Sequence, residues 1–201
     1  MSRYAHEYIQ SFSSHPSFLG KFESVLKSVG HILDSGCGIC NFGKELYFEG
    51  ELKAYTKVGA PRILSSKEVH YTGITFDLNE LPIKRFEAPP LSDDGVRLQY
   101  GNRLQVFRGK FFEELSNDEL MRSFGKADLI VDFFGVASYT HDLVSALRRN
   151  FEMLNEGGEI FILTMPPETR IHPKSSSVKP RSQDERGWTL TEWLKTVPGL
   201  E

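Results

Sequence analysis

The chain has 201 residues, 39% of them hydrophobic and 25% charged, with a formal net charge of −3. That length suits one domain whose core needs no disulfide or metal staple, and the composition excludes a disordered or fibrous chain. The acidic balance argues against a broad nucleic-acid-binding face. No apolar run nears the roughly 18 residues of a membrane span, and no apolar signal core follows the N-terminus. The two cysteines are too few for a disulfide framework. The expectation is a cytoplasmic protein with no membrane segment and no nucleic-acid partner.

Residues 1–30 form a helical cover. Tyr4, Tyr8, Ile9 and Phe12 share one helix face. After His15-Pro16, the spacing of Phe18, Leu19, Phe22, Val25, Leu26 and Val29 predicts a second amphipathic helix ending near Gly30. A short strand over 31–34 runs into a glycine turn over 35–38, and a helix is expected over 41–57. Residues 58–68 read as a loop. A second strand covers 69–76 and ends at Asp77. A short strand is expected over 96–100, a third main strand over 104–107, and a helix over 118–124. A buried strand covers 127–132. Leu143, Val144, Leu147, Phe151 and Leu154 mark the face of the next helix, which Gly157-Gly158 is expected to stop. A further strand covers 159–164, a long loop 166–187, and a short helix 189–196. Strands alternating with helices predict an α/β fold with a mostly parallel sheet covered on both faces. Such sheets bind ligands beyond the carboxyl ends of their strands, where strand order reverses.

The most informative segment is Ile32-Leu33-Asp34-Ser35-Gly36-Cys37-Gly38-Ile39-Cys40-Asn41-Phe42. Glycines there let the chain turn sharply and let a ligand approach the backbone. A dinucleotide fingerprint needs a glycine at its sixth position, where Asn41 stands. Cys37-Gly38-Ile39-Cys40 is a C-x-x-C at a helix start, the arrangement of a thiol oxidoreductase. As a metal site it is half a ligand set, so no metal is expected.

The segment also resembles motif I of the class I S-adenosylmethionine-dependent methyltransferases, and the resemblance continues in order along residues 30–165. Tyr71-Thr72-Gly73-Ile74-Thr75-Phe76-Asp77 resembles the second strand with its acidic end. Arg108-Gly109-Lys110-Phe111-Phe112 resembles the turn after the third strand. Ala127-Asp128-Leu129-Ile130-Val131-Asp132-Phe133-Phe134-Gly135 resembles the fourth, and Leu154-Asn155-Glu156-Gly157-Gly158-Glu159 the lead into the fifth.

The resemblance implies a Rossmann-like domain over 1–201, with the cofactor-binding core at 31–165 and a loop and helix at 166–201. It implies S-adenosylmethionine as cofactor, held by Asp34, Gly36, Cys37 and Gly38 at the turn. It further implies Asp77, with Thr75 second, at the ribose, Lys110 and Phe111 beside the adenine, and Asp132 and Phe133 facing the methyl group. Lys110 has no acceptor atom and cannot copy the family's acidic contact. Tyr139 and His141 are the candidate bases. The methyl acceptor would be a small molecule or a protein. A methyltransferase-like binding module without catalysis is the alternative, and a thiol oxidoreductase a third. The family's sheet usually has seven strands. About five are expected here, the last two of the seven having no counterpart, which leaves the fifth as an exposed edge open to homodimer pairing.

Overall fold

The computed structural model describes residues 4–49, 51–55, 61–65, 68–76, 92–93, 96–164, 170–172, 176–179 and 187–196. Helices α1 (Ala5–Phe12) and α2 (Phe18–Lys27) precede strand β1 (His31–Asp34). Helix α3 (Asn41–Lys44) passes into one π-type turn, Glu45–Glu49, and strands β2 (Glu51–Tyr55) and β3 (Pro61–Ser65) pair as a hairpin. Then come β4 (His70–Thr75), β5 (Ser92–Asp93), β6 (Arg97–Tyr100), β7 (Leu104–Arg108), α4 (Asn117–Met121), β8 (Ala127–Phe133), α5 (Val136–Tyr139), α6 (Leu143–Glu152) and β9 (Leu154–Leu163). Short strands β10 (Arg170–Ile171), β11 (Val178–Lys179) and β12 (Trp188–Thr189) and helix α7 (Leu190–Leu194) complete the described elements.

The main sheet has seven strands in the order β5-β6-β7-β4-β1-β8-β9. β7, β4, β1, β8 and β9 are mutually parallel, whereas β6 runs antiparallel to β7 and β5 antiparallel to β6. Counting only the parallel strands, the order is third, second, first, fourth, fifth. It reverses between β1 and β8, which makes that junction the switch point of a doubly wound, Rossmann-like sheet.

Alternate residues of the central strands go to opposite faces. Ile32, Leu129 and Val131 face α1 and α2, where Tyr8, Ile9, Phe12, Phe18 and Phe22 pack with Phe42 and Phe161. Leu33 and Ile130 face the other side, with Ile74, Phe107, Phe112, Leu115, Leu120 and Met153. Both faces are covered, so β1 is buried along its whole length and β8 along all of it but Asp128. A third cluster of Ala137, Leu143, Ile171 and Trp193 fastens the small β10–β12 sheet and α7 to α5 and α6.

Several expectations change. The sheet has more than five strands because β6 and β5 extend its β7 edge, while β9 is the last strand at the other side among the described residues. The helix expected over 41–57 ends in the π-type turn, and the 58–68 loop contains β3. Cross-strand pairing with β2 decides that hairpin, a non-local gain that a single-segment pattern does not carry. Gly157-Gly158 does not stop α6, whose C-cap is Met153. Leu154 already pairs with Ala127, and the register then jumps to Leu129 opposite Glu159, so the intervening residues bulge out with Gly157 at φ +72°. The 166–187 loop carries β10 and β11, which pair with each other, and β10 pairs on its other side with β12. Helices α2, α4 and α7 are shorter than expected, and Val29 lies beyond α2 and is exposed.

Candidate functional site

At the switch point β1 ends in Asp34 and β8 carries Asp132 one residue before its end, and both aspartates are fully buried. The Gly36 N–H donates to Asp34 Oδ1 at 3.1 Å, and the Tyr8 and Tyr71 hydroxyls donate to Asp34 Oδ2 at 2.6 and 2.7 Å. The Gly135 and Ala137 N–H groups donate to the two oxygens of Asp132, each at 2.7 Å. Each carboxylate thus folds the turn that follows its own strand. Burial pushes the Asp34 carboxyl up to about 6, against the lowering effect of the Tyr8, Tyr71 and Gly36 hydrogen bonds. The two turns touch through their backbones, since a β-carbon on Gly36 would overlap Gly135 Cα and one on Gly135 would overlap Gly36 Cα.

A cleft opens beyond these turns. Its walls are Ser35, Gly36 and Gly38 after β1, Ile74, Thr75 and Phe76 at the end of β4, and Lys110, Phe111 and Phe112 after β7. Phe134, Gly135, Val136, Tyr139 and Thr140 close it from the β8 side. Gly38 has φ +54°, a conformation that favours glycine. Phe134, an aromatic residue, sits at φ +53°, local strain of a kind that gathers at binding sites. At the mouth Phe76 stacks on Phe111 with ring centroids 5.7 Å apart, and Tyr139 lies 6.5 Å from Phe76. Phe76 and Tyr139 are 57% and 44% exposed, so the mouth presents aromatic faces to solvent. The Lys110 amine reaches Glu119 at 3.5 Å, and the Thr140 hydroxyl donates to Glu113 at 2.5 Å.

The cleft gathers Gly36, Gly38, Thr75, Lys110, Phe111 and Tyr139 from among the residues expected at the site. Asp34 and Asp132 are not on its walls: the Asp34 carboxylate is taken up by the Gly36 amide and the Tyr8 and Tyr71 hydroxyls, and the Asp132 carboxylate by the Gly135 and Ala137 amides. Cys37 is buried behind the turn. Phe133 packs inward on Tyr8 and Phe12, whereas Phe134, one residue beyond β8 at φ +53° and stacked on Phe133 with ring centroids 5.1 Å apart, reaches the cleft wall. His141 is outside the cleft wall and meets Phe111 edge-on at 4.8 Å. Asp77 lies outside the described residues. Ser35, Phe76, Gly135 and Thr140 line the cleft without being marked by the sequence motifs. Gly135 carried a signal, since it follows β8 as Gly36 follows β1, whereas Phe76 is recognisable only once β4 and β7 lie side by side.

Cys37 and Cys40 are free and buried. Burial, and then the neighbouring Cys40 thiol, push the Cys37 thiol well above its ordinary value, the opposite of an activated redox cysteine. The two sulfurs occupy the space that β-carbons on Gly73 and Gly43 would fill, so they serve as packing groups. Among the described residues no cluster of three His, Cys, Asp or Glu could hold a metal ion, and no helix is long and apolar enough to cross a membrane. No protein-family model matches the chain, and no curated protein matches its sequence.

Proposed function

We propose that the chain binds S-adenosylmethionine in this cleft and transfers its methyl group to a small-molecule or protein acceptor. The observation that carries the reading is the place of the glycine turn. The parallel strands run in a doubly wound order, and the Gly36–Gly38 turn borders a cleft at the reversal. The lining chemistry suits the cofactor. Gly38 offers a backbone edge without a side chain to the amino-acid end, Thr75 a hydroxyl to the ribose, and Phe111 an aromatic face to the adenine.

When bound, the sulfonium supplies an electrophilic methyl group. The chain's own part is orientation and exclusion of water, which account for most of the rate of an in-line displacement. Ile74, Phe112, Phe134 and Val136 give the cleft apolar walls. Tyr139 is on the wall and is the nearer candidate to exchange a proton with the acceptor, ahead of His141.

A second reading, a ligand-binding module without catalysis, is favoured by one observation: among the described residues the cleft wall has no carboxylate. Calorimetry with S-adenosylhomocysteine on the reduced protein tests the binding shared by both. Micromolar affinity is expected, weakened about 3- to 10-fold in Phe111→Ala as one aromatic contact is lost. Labelled methyl transfer into candidate acceptors then separates the two. Absence of binding by the folded protein would overturn both.

A further inference from the structure

We propose that Tyr8 of α1 and Tyr71 of β4 are positioning residues for the ligand turn: by donating to Asp34 they hold the carboxylate that fixes the Gly36 amide, so that docking of α1 sets the shape and ligand affinity of residues 35–40. The ligand part of this inference rests on the function proposed above; the geometric part does not.

Three donors converge on one buried carboxylate, at 2.6 Å from Tyr8, 2.7 Å from Tyr71 and 3.1 Å from Gly36. Both tyrosines are themselves almost fully buried, so water does not readily replace a lost hydroxyl. The titratable groups that face Asp34 are Tyr8 from α1, Tyr71 from β4, Cys37 from the turn and Asp132 from β8. None of them is a cation. The charge of Asp34 therefore depends on hydrogen bonds, and the two phenols supply both bonds to Oδ2. Loss of one phenol favours the protonated acid. A proton on Oδ2 makes that oxygen a donor, and one tyrosine hydroxyl must then turn from donor to acceptor.

Helix α1 is tied to the chain on both sides of the turn. Tyr8 bonds Asp34 before it, and the Ala5 N–H donates to Glu45 after it at 2.5 Å. Undocking α1 breaks both bonds at once. Docking of α1 and the geometry of residues 35–40 are therefore linked, and a ligand that prefers the ordered turn also favours the docked helix.

Tyr8→Phe is the informative variant, because it keeps the ring packed on Phe42 at 4.7 Å and on Phe133 at 5.2 Å while removing the donor. Peptide-level hydrogen exchange of wild type, Tyr8→Phe and Tyr71→Phe is measured between pH 5 and 8 and corrected for intrinsic rates. Beside it, S-adenosylhomocysteine affinity is measured over the same range. The expected result in either variant is exchange about tenfold faster in the peptide spanning 35–41 at pH 7, the effect of one hydrogen bond to a charged group. Exchange in β7 stays at its wild-type rate. Affinity falls by a similar factor, and its inflection with pH moves upward. Unchanged exchange at 35–41 in both variants, or a uniform rise across all strands, overturns the inference. If the 35–41 peptide responds but wild type does not bind S-adenosylhomocysteine, the positioning role stands and the methyltransferase reading fails.

Discussion

Gly36 and Gly135 meet backbone to backbone across the switch point, each occupying the space that a β-carbon on the other would need. The contact joins the turn after β1 to the turn after β8 and fixes the inner wall of the cleft. It assigns Gly36 a different reason to be glycine from the one its motif suggests, since the atom it admits most closely belongs to the protein.

Alanine at either position is therefore expected to lower stability by more than about 3 kcal/mol, because the obstruction is backbone with no rotamer to yield. Gly125→Ala is the control. It has φ +69° but nothing near its would-be β-carbon, so only the left-handed strain of about 1–2 kcal/mol applies. Denaturant unfolding of the three variants would show the two effects separately, and equal losses in all three would refute the contact.

Cys40 is a non-glycine residue in the left-handed region, at φ 59° and ψ 37°, and it caps α3. Alanine there keeps the strain and loses the buried sulfur, whereas glycine loses the sulfur and relieves roughly 1–2 kcal/mol of strain. Cys40→Gly is expected to unfold at a temperature no lower than Cys40→Ala, a reversal of the usual order of the two residues. A clearly lower Tm for the glycine variant would contradict the geometry.

Acid stability depends on two buried groups of opposite effect. Burial lowers His31 from 6.5 to about 4, and its ring is held between the Lys126 carbonyl at 3.1 Å and the Thr72 hydroxyl at 2.8 Å. Its neutral folded form contributes stability above pH 6.5 that is lost as pH falls toward 4, because the unfolded chain takes up the proton first. Asp34 is raised from 3.8 to about 6, so its contribution is present below 3.8 and lost as pH rises through 6. Between pH 4 and 6 the two oppose each other. Relative to wild type, Asp34→Asn should lose stability more steeply on acidification from pH 6.5 to 4, and His31→Gln less steeply. Chemical unfolding at several pH values checks both slopes, and parallel curves for all three proteins would contradict the assignment.

Both cysteines are buried and free. The native protein is expected to react with a thiol reagent much more slowly than the denatured chain, which should release two equivalents for its two cysteines. Rapid labelling of the folded protein would instead revive the thiol oxidoreductase reading.

The central strands were legible in the sequence because their signals are local. Ile32-Leu33 and Leu129-Ile130-Val131 are short apolar stretches inside His31–Asp34 and Ala127–Phe133, and the glycine turn stands where a doubly wound sheet needs one. Harder to read were features made by pairing across the chain. The β2–β3 hairpin, the bulge at Gly157 and the extension of the sheet by β6 all depend on partners distant in sequence. At the site, residue type alone does not show which groups a carboxylate bonds. Asp34 and Asp132 look like ligand-binding acids, yet the Gly36 amide and the Tyr8 and Tyr71 hydroxyls claim the oxygens of Asp34, and the Gly135 and Ala137 amides those of Asp132. The left-handed turn at Phe134 also puts that residue, and not Phe133, on the cleft wall, which is invisible until the strand end is placed.

The most direct test of the central claim is an amide chemical-shift map of the labelled, reduced protein titrated with S-adenosylhomocysteine. Saturable shifts are expected at Gly36, Gly38, Thr75, Phe76, Phe111 and Tyr139, which border the cleft, and none at His31 or Thr72 away from it. Absence of any shift at millimolar ligand, or shifts confined to residues away from the cleft, would contradict it.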